Sequence, residues 1–371
     1  MTNVPLVADT MYVSKPASDE GVQKDPPKDL YPEVLYPEIE PYNQGHLSVG
    51  DGHSVYYEQS GNPVGLPALF LHGGPGGGCG PRSRRFFDPS IYRIVCIDQR
   101  GCGRSLPNAG GDWEKSIYEN NTGKLVEDLE RLKEFLEVEK WRVVLGGSWG
   151  STLTLSYAIA HPTSMSDLIL RGVFLFSPEE VDHLFQNGGT SGQNPEAWEM
   201  YAKYIEDSSI DFEAERTNFL GAYYKRMTGE DERIRRKAAS AFVGYELSIS
   251  KSFVDMTRIK EVLSDISHLI PFALFEVIYM LNAGFMSRGY LLANVNKIVS
   301  AGHRVRIVHG RADYVCQPKA AHTLFKALKT EGCENVTLEF VAGAGHSDSE
   351  PGIIDALVRA TKEMGEDSKG K

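Results

Sequence analysis

A serine framed by glycines, an aspartate and a histidine are the residues of this chain whose types and order could do nucleophilic chemistry. Gly146-Gly147-Ser148-Trp149-Gly150 follows a short apolar run and precedes a helical stretch. A serine on so tight a strand-to-helix turn needs glycines beside it, because a Cβ there would clash. The turn holds Ser148 Oγ clear of the strands and sets a helix N-terminus behind it, where N–H groups and the dipole face a reacting carbonyl. Asp313 lies in His309-Gly310-Arg311-Ala312-Asp313, just past another apolar run. His346 closes Gly343-Ala344-Gly345-His346 after a third. The order Ser, Asp, His allows His346 to take the Ser148 proton while Asp313 fixes the imidazole tautomer. His72-Gly73-Gly74-Pro75-Gly76-Gly77-Gly78 is a loop whose backbone can approach a ligand closely. It fails the dinucleotide fingerprint, since the sixth place from Gly74 is Cys79 and from Gly76 is Pro81. No Gly-Lys-Ser/Thr follows it either, so a phosphate loop is excluded.

The elements that must carry these residues can be read coarsely. Runs at 68–71, 93–97 and 142–145 are short, apolar and bounded by Gly, Asp or Pro, and 168–172, 305–308 and 337–340 read as further strands. Such runs suit strands buried on both faces, hence a mostly parallel sheet with helices outside. A hairpin is predicted over 46–58 around Asp51-Gly52. Leu125, Val126, Leu129, Leu132, Phe135 and Leu136 recur at helical spacing within 122–136. The fold class is therefore α/β, doubly wound. The strand rhythm stops between about 174 and 295, where 197–205, 212–226, 231–247 and 271–282 read as helices. That block is predicted to be an inserted all-helical cap over 175–294, with the catalytic domain at 45–174 and 295–371. Residues 1–44 are rich in Pro and charge and read as an extension, disordered or wrapped over the surface. Asp98-Gln99-Arg100-Gly101-Cys102-Gly103-Arg104-Ser105 reads as a structural turn with Arg side chains bonding carboxylates or carbonyls.

The 371 residues carry a formal net charge of −11, with 41% apolar and 24% charged residues. An acidic surface with no Lys/Arg block is a poor partner for nucleic acid or anionic lipid. No basic stretch followed by a long apolar run opens the chain, so no secretory signal is expected. The most apolar segment, 269–286, starts at Pro271 and is interrupted by Glu276 and Asn282, so it reads as a buried helix and not a membrane span. Five cysteines at irregular spacing argue against a disulfide framework and for a reducing cytoplasm. Neither Cys-x-x-Cys nor His-Glu-x-x-His occurs, so no metal is expected.

Taken together, these motifs resemble the proline iminopeptidase family of α/β-hydrolases over most of the chain from about Pro41 to about Asp355. The resemblance rests on His72 to Gly76, Asp98 to Ser105, Gly146 to Leu153, Leu170-Arg171-Gly172, His309 to Asp313 and Ala344-Gly345-His346. It implies an α/β-hydrolase fold with an inserted helical cap. It also implies release of N-terminal proline from small peptides through a prolyl-enzyme, with no cofactor. In that fold the glycine loop supplies an oxyanion N–H, which assigns the backbone amides of Gly74 and Trp149. The resemblance further implies that cap glutamates read the free imino nitrogen, at Glu246 and Glu276, with Phe242, Tyr245 and Tyr279 around them. Independently, Glu276 sits in an apolar helical stretch, where an ionised carboxylate needs a partner. A substrate ammonium or an internal Arg or Lys would serve. Where the family usually has tryptophans this chain has Phe242 and Tyr245, and a Trp-x-Tyr-Gln element appears as His183-Leu184-Phe185-Gln186. A carboxylesterase or amidase, and a non-catalytic ligand-binding receptor on the same scaffold, are the competing readings. Oligomeric state is left open.

Overall fold

A computed structural model describes residues 31–366 apart from position 255. Residues 1–30 of the expected extension lie outside the described residues. Eight strands form one sheet: β1 (Asn43–Gly50), β2 (His53–Gly61), β3 (Leu66–Leu71), β4 (Tyr92–Ile97), β5 (Trp141–Gly147), β6 (Met165–Arg171), β7 (Arg304–Gly310) and β8 (Val336–Val341). Their order is β1-β2-β4-β3-β5-β6-β7-β8. β2 runs antiparallel to β1 and β4, and every other pairing is parallel. Asp51 and Gly52 turn the β1–β2 hairpin with φ of 56° and 79°, the positive values a tight hairpin turn favours.

The central strands are largely apolar because both faces of the sheet are covered there. On β3, Leu69 and Leu71 enter one core while Ala68 and Phe70 enter the other, as a period of two requires. On one face lie α1 (Thr122–Phe135) and α2 (Trp149–Ala160). Asn121 caps α1 by accepting from the Lys124 N–H, and Leu125, Val126, Leu129 and Leu132 are its buried stripe. Phe135, expected within that stripe, is 51% exposed and covers the edge of Tyr57 at 5.4 Å.

Between β6 and β7 the described chain is helical, with α3 (Pro178–Phe185), α4 (Pro195–Ser208), α5 (Phe219–Met227), α6 (Glu232–Ile249) and α7 (Ile266–Leu281), and a further helix over Met256–Ser264. Two expectations are corrected here. The helix predicted over 212–226 is broken, because Asn218 turns its side chain to the Gly221 N–H and starts α5 afresh. α7 begins before Pro271 rather than at it. Proline cannot donate to the carbonyl four residues back, and that carbonyl, on Ser267, instead accepts from Asn108 Nδ2 at 3.1 Å. The last helices are α8 (Pro318–Thr330) and α9 (Pro351–Glu366).

The end of the expected extension is a strap. Residues 31–42 run extended along the opposite face of the sheet, with Glu33 N–H donating to Asp355 at 2.9 Å and Tyr36 N–H to the Arg85 carbonyl at 2.9 Å. β1 then begins at Asn43. No single helix among the described residues is long and apolar enough to cross a membrane, and α7 qualifies only jointly with the next short helices, across a 77° bend.

The turn after β4 locks the catalytic half to the cap. Arg100 is buried and pairs bidentately with Asp128, at 2.6 and 2.8 Å. Arg104 binds Asp98 and Glu58 at 2.8 Å each. Gly101 holds φ +81°, and a Cβ there would lie 2.2 Å from the Phe275 ring on α7. Gly101→Ala is therefore expected to lower the unfolding free energy by roughly 2–4 kcal/mol, the sum of overpacking and left-handed strain. Urea denaturation checks this, and a midpoint matching the parent protein would show that α7 yields at that contact.

Candidate active site

Ser148 stands at the end of β5 with φ 58° and ψ −127°, a strained backbone for a residue with a side chain. The strain is held by packing that only glycine permits. A Cβ on Gly146 would lie 2.1 Å from the Gly150 carbonyl oxygen, and one on Gly150 would lie 2.2 Å from the Leu71 carbonyl oxygen. α2 starts at Trp149, so its first N–H groups have no intrahelical acceptor and remain for a ligand. The glycine loop comes within reach of the same turn: a Cβ on Gly73 would stand 3.8 Å from Ser148 Oγ. His72 Nε2 accepts from the Gln99 N–H at 3.0 Å, so its Nδ1–H donates to the Gly73 carbonyl at 2.9 Å. Burial lowers the His72 pKa and keeps this ring neutral. Gln99 closes the frame, donating to the His72 carbonyl at 3.0 Å and accepting from Trp149 Nε1 at 2.7 Å.

Asp313 and His346 meet as expected. His346 Nδ1–H donates to Asp313 Oδ2 at 2.8 Å, and Asp313 Oδ1 accepts from the N–H groups of Val315 and Cys316 at 3.0 and 2.8 Å. Burial alone would raise the Asp313 pKa, but His346, His309 and the Cys316 N–H hold it below its ordinary value. The third contact differs. His346 Nε2 accepts from Arg171 Nη1 at 3.2 Å, and the same guanidinium binds the His346 carbonyl at 3.0 Å. The Cys316 thiol also lies near Ser148, and burial keeps it protonated. Arg171 thus occupies the ring nitrogen that a serine proton would need. Catalytic bonds often tighten only when substrate is bound.

The glutamates come together. Glu246 on α6 and Glu276 on α7 are buried, and they lie close enough for each to shift the other's titration. Glu246 also lies close enough to His346 to interact with its charge. Burial raises both pKa values, and the charge of Glu246 lifts Glu276 further. Among the described residues neither forms an ion pair with Lys or Arg, and Oε2 of each has no hydrogen-bond partner. The aromatic residues divide. Tyr279 on α7 packs edge-on against Trp149 at 4.8 Å and donates to Asn120 at 2.9 Å. Phe242 is fully buried and stacks on Phe185 at 5.1 Å, while Tyr245 donates to the Leu184 carbonyl at 2.7 Å. Among the described residues no cluster of His, Cys, Asp or Glu could hold a metal ion.

Residues 67–352 match the α/β hydrolase fold family. A proline iminopeptidase from Arabidopsis thaliana is 41% identical over 89% of this chain and 82% of its own length. One from Xanthomonas citri is 42% identical over 88% and 98%. The chain belongs to the proline iminopeptidase family of α/β hydrolases. A probable proline iminopeptidase from Leptolyngbya boryana is 43% identical over 88% of this chain and 95% of its own. Among solved structures, a proline iminopeptidase-related protein from Thermus thermophilus aligns with a TM-score of 0.51 at 20% identity, covering 88% of this chain and 97% of that one. That likeness speaks for the fold alone.

Arg171 and Gln99 are site residues whose roles sequence reasoning missed. Both stood inside quoted motifs, yet a partner across the sheet leaves no trace in spacing along the chain. The carboxylate pair yields a stability test. A raised folded pKa contributes stability that is present below the unfolded value, 4.5 for Glu, and is lost as pH rises through the folded value. Glu276→Gln removes that loss. Its melting temperature at pH 8 is expected to exceed the parent's by about 2 °C, with the difference vanishing near pH 4. Scanning calorimetry across pH decides; a lower melting temperature at pH 8 would mean that the charged pair is stabilised by something else.

Proposed function

We propose that the chain is a serine aminopeptidase that releases N-terminal proline from small peptides. The observation that carries this reading is the pair of buried carboxylates beside His346 with no protein cation to neutralise them. Burying charge without a partner is costly, and the protonated imino nitrogen of a peptide N-terminus is the partner that the pair lacks. Its entry places one cation between two carboxylates, which lowers the cost of charging both.

With the nitrogen seated between Glu246 and Glu276, the first carbonyl faces Ser148. Oγ attacks that carbon as His346 Nε2, released from Arg171, takes the hydroxyl proton. Asp313 stabilises the imidazolium, and the N–H groups of Gly74 and Trp149 receive the oxyanion. The C–N bond then breaks, and His346 gives its proton to the departing amine. Water, activated by His346, attacks the prolyl ester and frees Ser148. Phe242, Tyr245 and Tyr279 shape the space for the ring. We assign the chain to a reducing, cytoplasmic setting, since all five cysteines are free.

Two measurements test the reading. A free prolyl arylamide is expected to be cleaved at least about 100-fold faster, in kcat/KM, than its N-acylated analogue, and Glu246→Gln should erase most of that preference. Equal rates would favour a plain esterase or amidase. Ser148→Ala should lose about 10⁴-fold or more in kcat and resist fluorophosphonate labelling; retained labelling would point to a different nucleophile.

A further inference from the structure

The loop of residues 342–350, which carries His346, is held by the cap. Past the end of α6 the chain turns over that loop. Ser347 N–H donates to the Ser250 carbonyl at 2.8 Å, and the Ser252 hydroxyl donates to the Gly343 carbonyl at 2.6 Å. Glu350 Oε1 accepts from the Ser252 N–H at 2.7 Å and from the Gly345 N–H at 3.3 Å, so one carboxylate oxygen joins the cap to the residue before His346. The approach is close: a Cβ on Gly345 would stand 3.0 Å from Ser252 N and 3.1 Å from the Ser250 carbonyl oxygen. Ser250 is tied back in turn, its hydroxyl donating to the Glu246 carbonyl at 2.7 Å. Two N–H groups from separate segments on one charged oxygen make charge-assisted bonds, stronger than neutral ones.

We propose that Glu350 is a positioning residue for His346, acting through the turn at residues 250–252. It fixes the base loop to the end of the helix that carries Glu246. A surface loop would otherwise sample many backbone states, and displacing a catalytic group by about 1 Å can cost about 100-fold in rate. The clamp makes the cap a scaffold for the base as well as a wall of the pocket. The inference rests on His346 as the base and does not need the carboxylate pair to read an amine.

The test uses the intact protein, prolyl arylamide kinetics, melting temperature and the rate of Ser148 labelling by a fluorophosphonate, which needs the base but no amine. Glu350→Ala is expected to lower kcat and the labelling rate about 10- to 100-fold, with KM within about threefold. Glu350→Gln keeps an acceptor oxygen and should recover to within about threefold of the parent, while Ser252→Ala, which loses one exposed bond, should fall by about two- to fivefold. The proposal is overturned if Glu350→Ala keeps kcat and labelling within twofold, if it raises KM alone, or if its loss only tracks the unfolded fraction. It is also overturned if Glu350→Gln is as impaired as Glu350→Ala. Should Glu246→Gln leave the free-amine preference intact, the amine reading fails while the labelling result still judges Glu350.

Discussion

Two carboxylates in contact inside an apolar cap cannot both be charged without a cation. Glu246 and Glu276 are in that position, and the fold retains them although apolar residues of the same size would be more stable there. The surrounding cap makes the conflict sharper. α6 and α7 pack directly on each other, Phe242 stacks on Phe185, and the Tyr245 hydroxyl is spent on a backbone carbonyl. Nothing in that wall offers a counter-charge. In so apolar a setting the attraction between a carboxylate and a cation is stronger than in water, and it must offset the lost hydration of both groups.

The catalytic half carries a strain of its own, in the backbone of Ser148, and meets the cap along α7. The loop that follows His72 is pressed under that helix, where a Cβ on Gly76 would lie 2.4 Å from the Pro271 carbonyl oxygen. Further along the same helix, Tyr279 rests on Trp149. α7 therefore contacts the glycine loop, carries Glu276 and supports Trp149, the residue after Ser148. A proline inside such a helix is tolerable because Asn108, from the catalytic half, satisfies the carbonyl that it leaves free. The two halves share hydrogen bonds at the points where each alone would be defective.

Much of this was legible in the sequence, for identifiable reasons. Ser148, Asp313 and His346 each follow a strand whose apolar run is unmistakable, and local turn chemistry marks their places. The glycines at 146 and 150 announce a close approach that the structure contains. The meeting of Glu246 with Glu276 came from a family resemblance, since nothing in their separation along the chain brings them together. Other features were hidden. Arg171 ends β6 and looks like any strand-terminal arginine until the loop after β8 folds beside it. The break before α5 is decided by an Asn side chain, and periodicity does not register caps. The strap at 31–42 has a composition that suggests disorder, and its order comes from backbone bonds to Arg85 and Asp355.

The departures from the family's aromatic pattern fall in one place. Phe185 and Phe242 stack in parallel, and Tyr201 and Tyr223 complete the cluster. These side chains carry no charge. Exchanging indole for phenyl there changes volume and leaves the electrostatics of the pair untouched. Packing and charge nevertheless share two helices, with Phe242 one turn before Glu246 on α6 and Tyr279 one turn after Glu276 on α7, so a change of ring volume and a change of charge act on the same backbone.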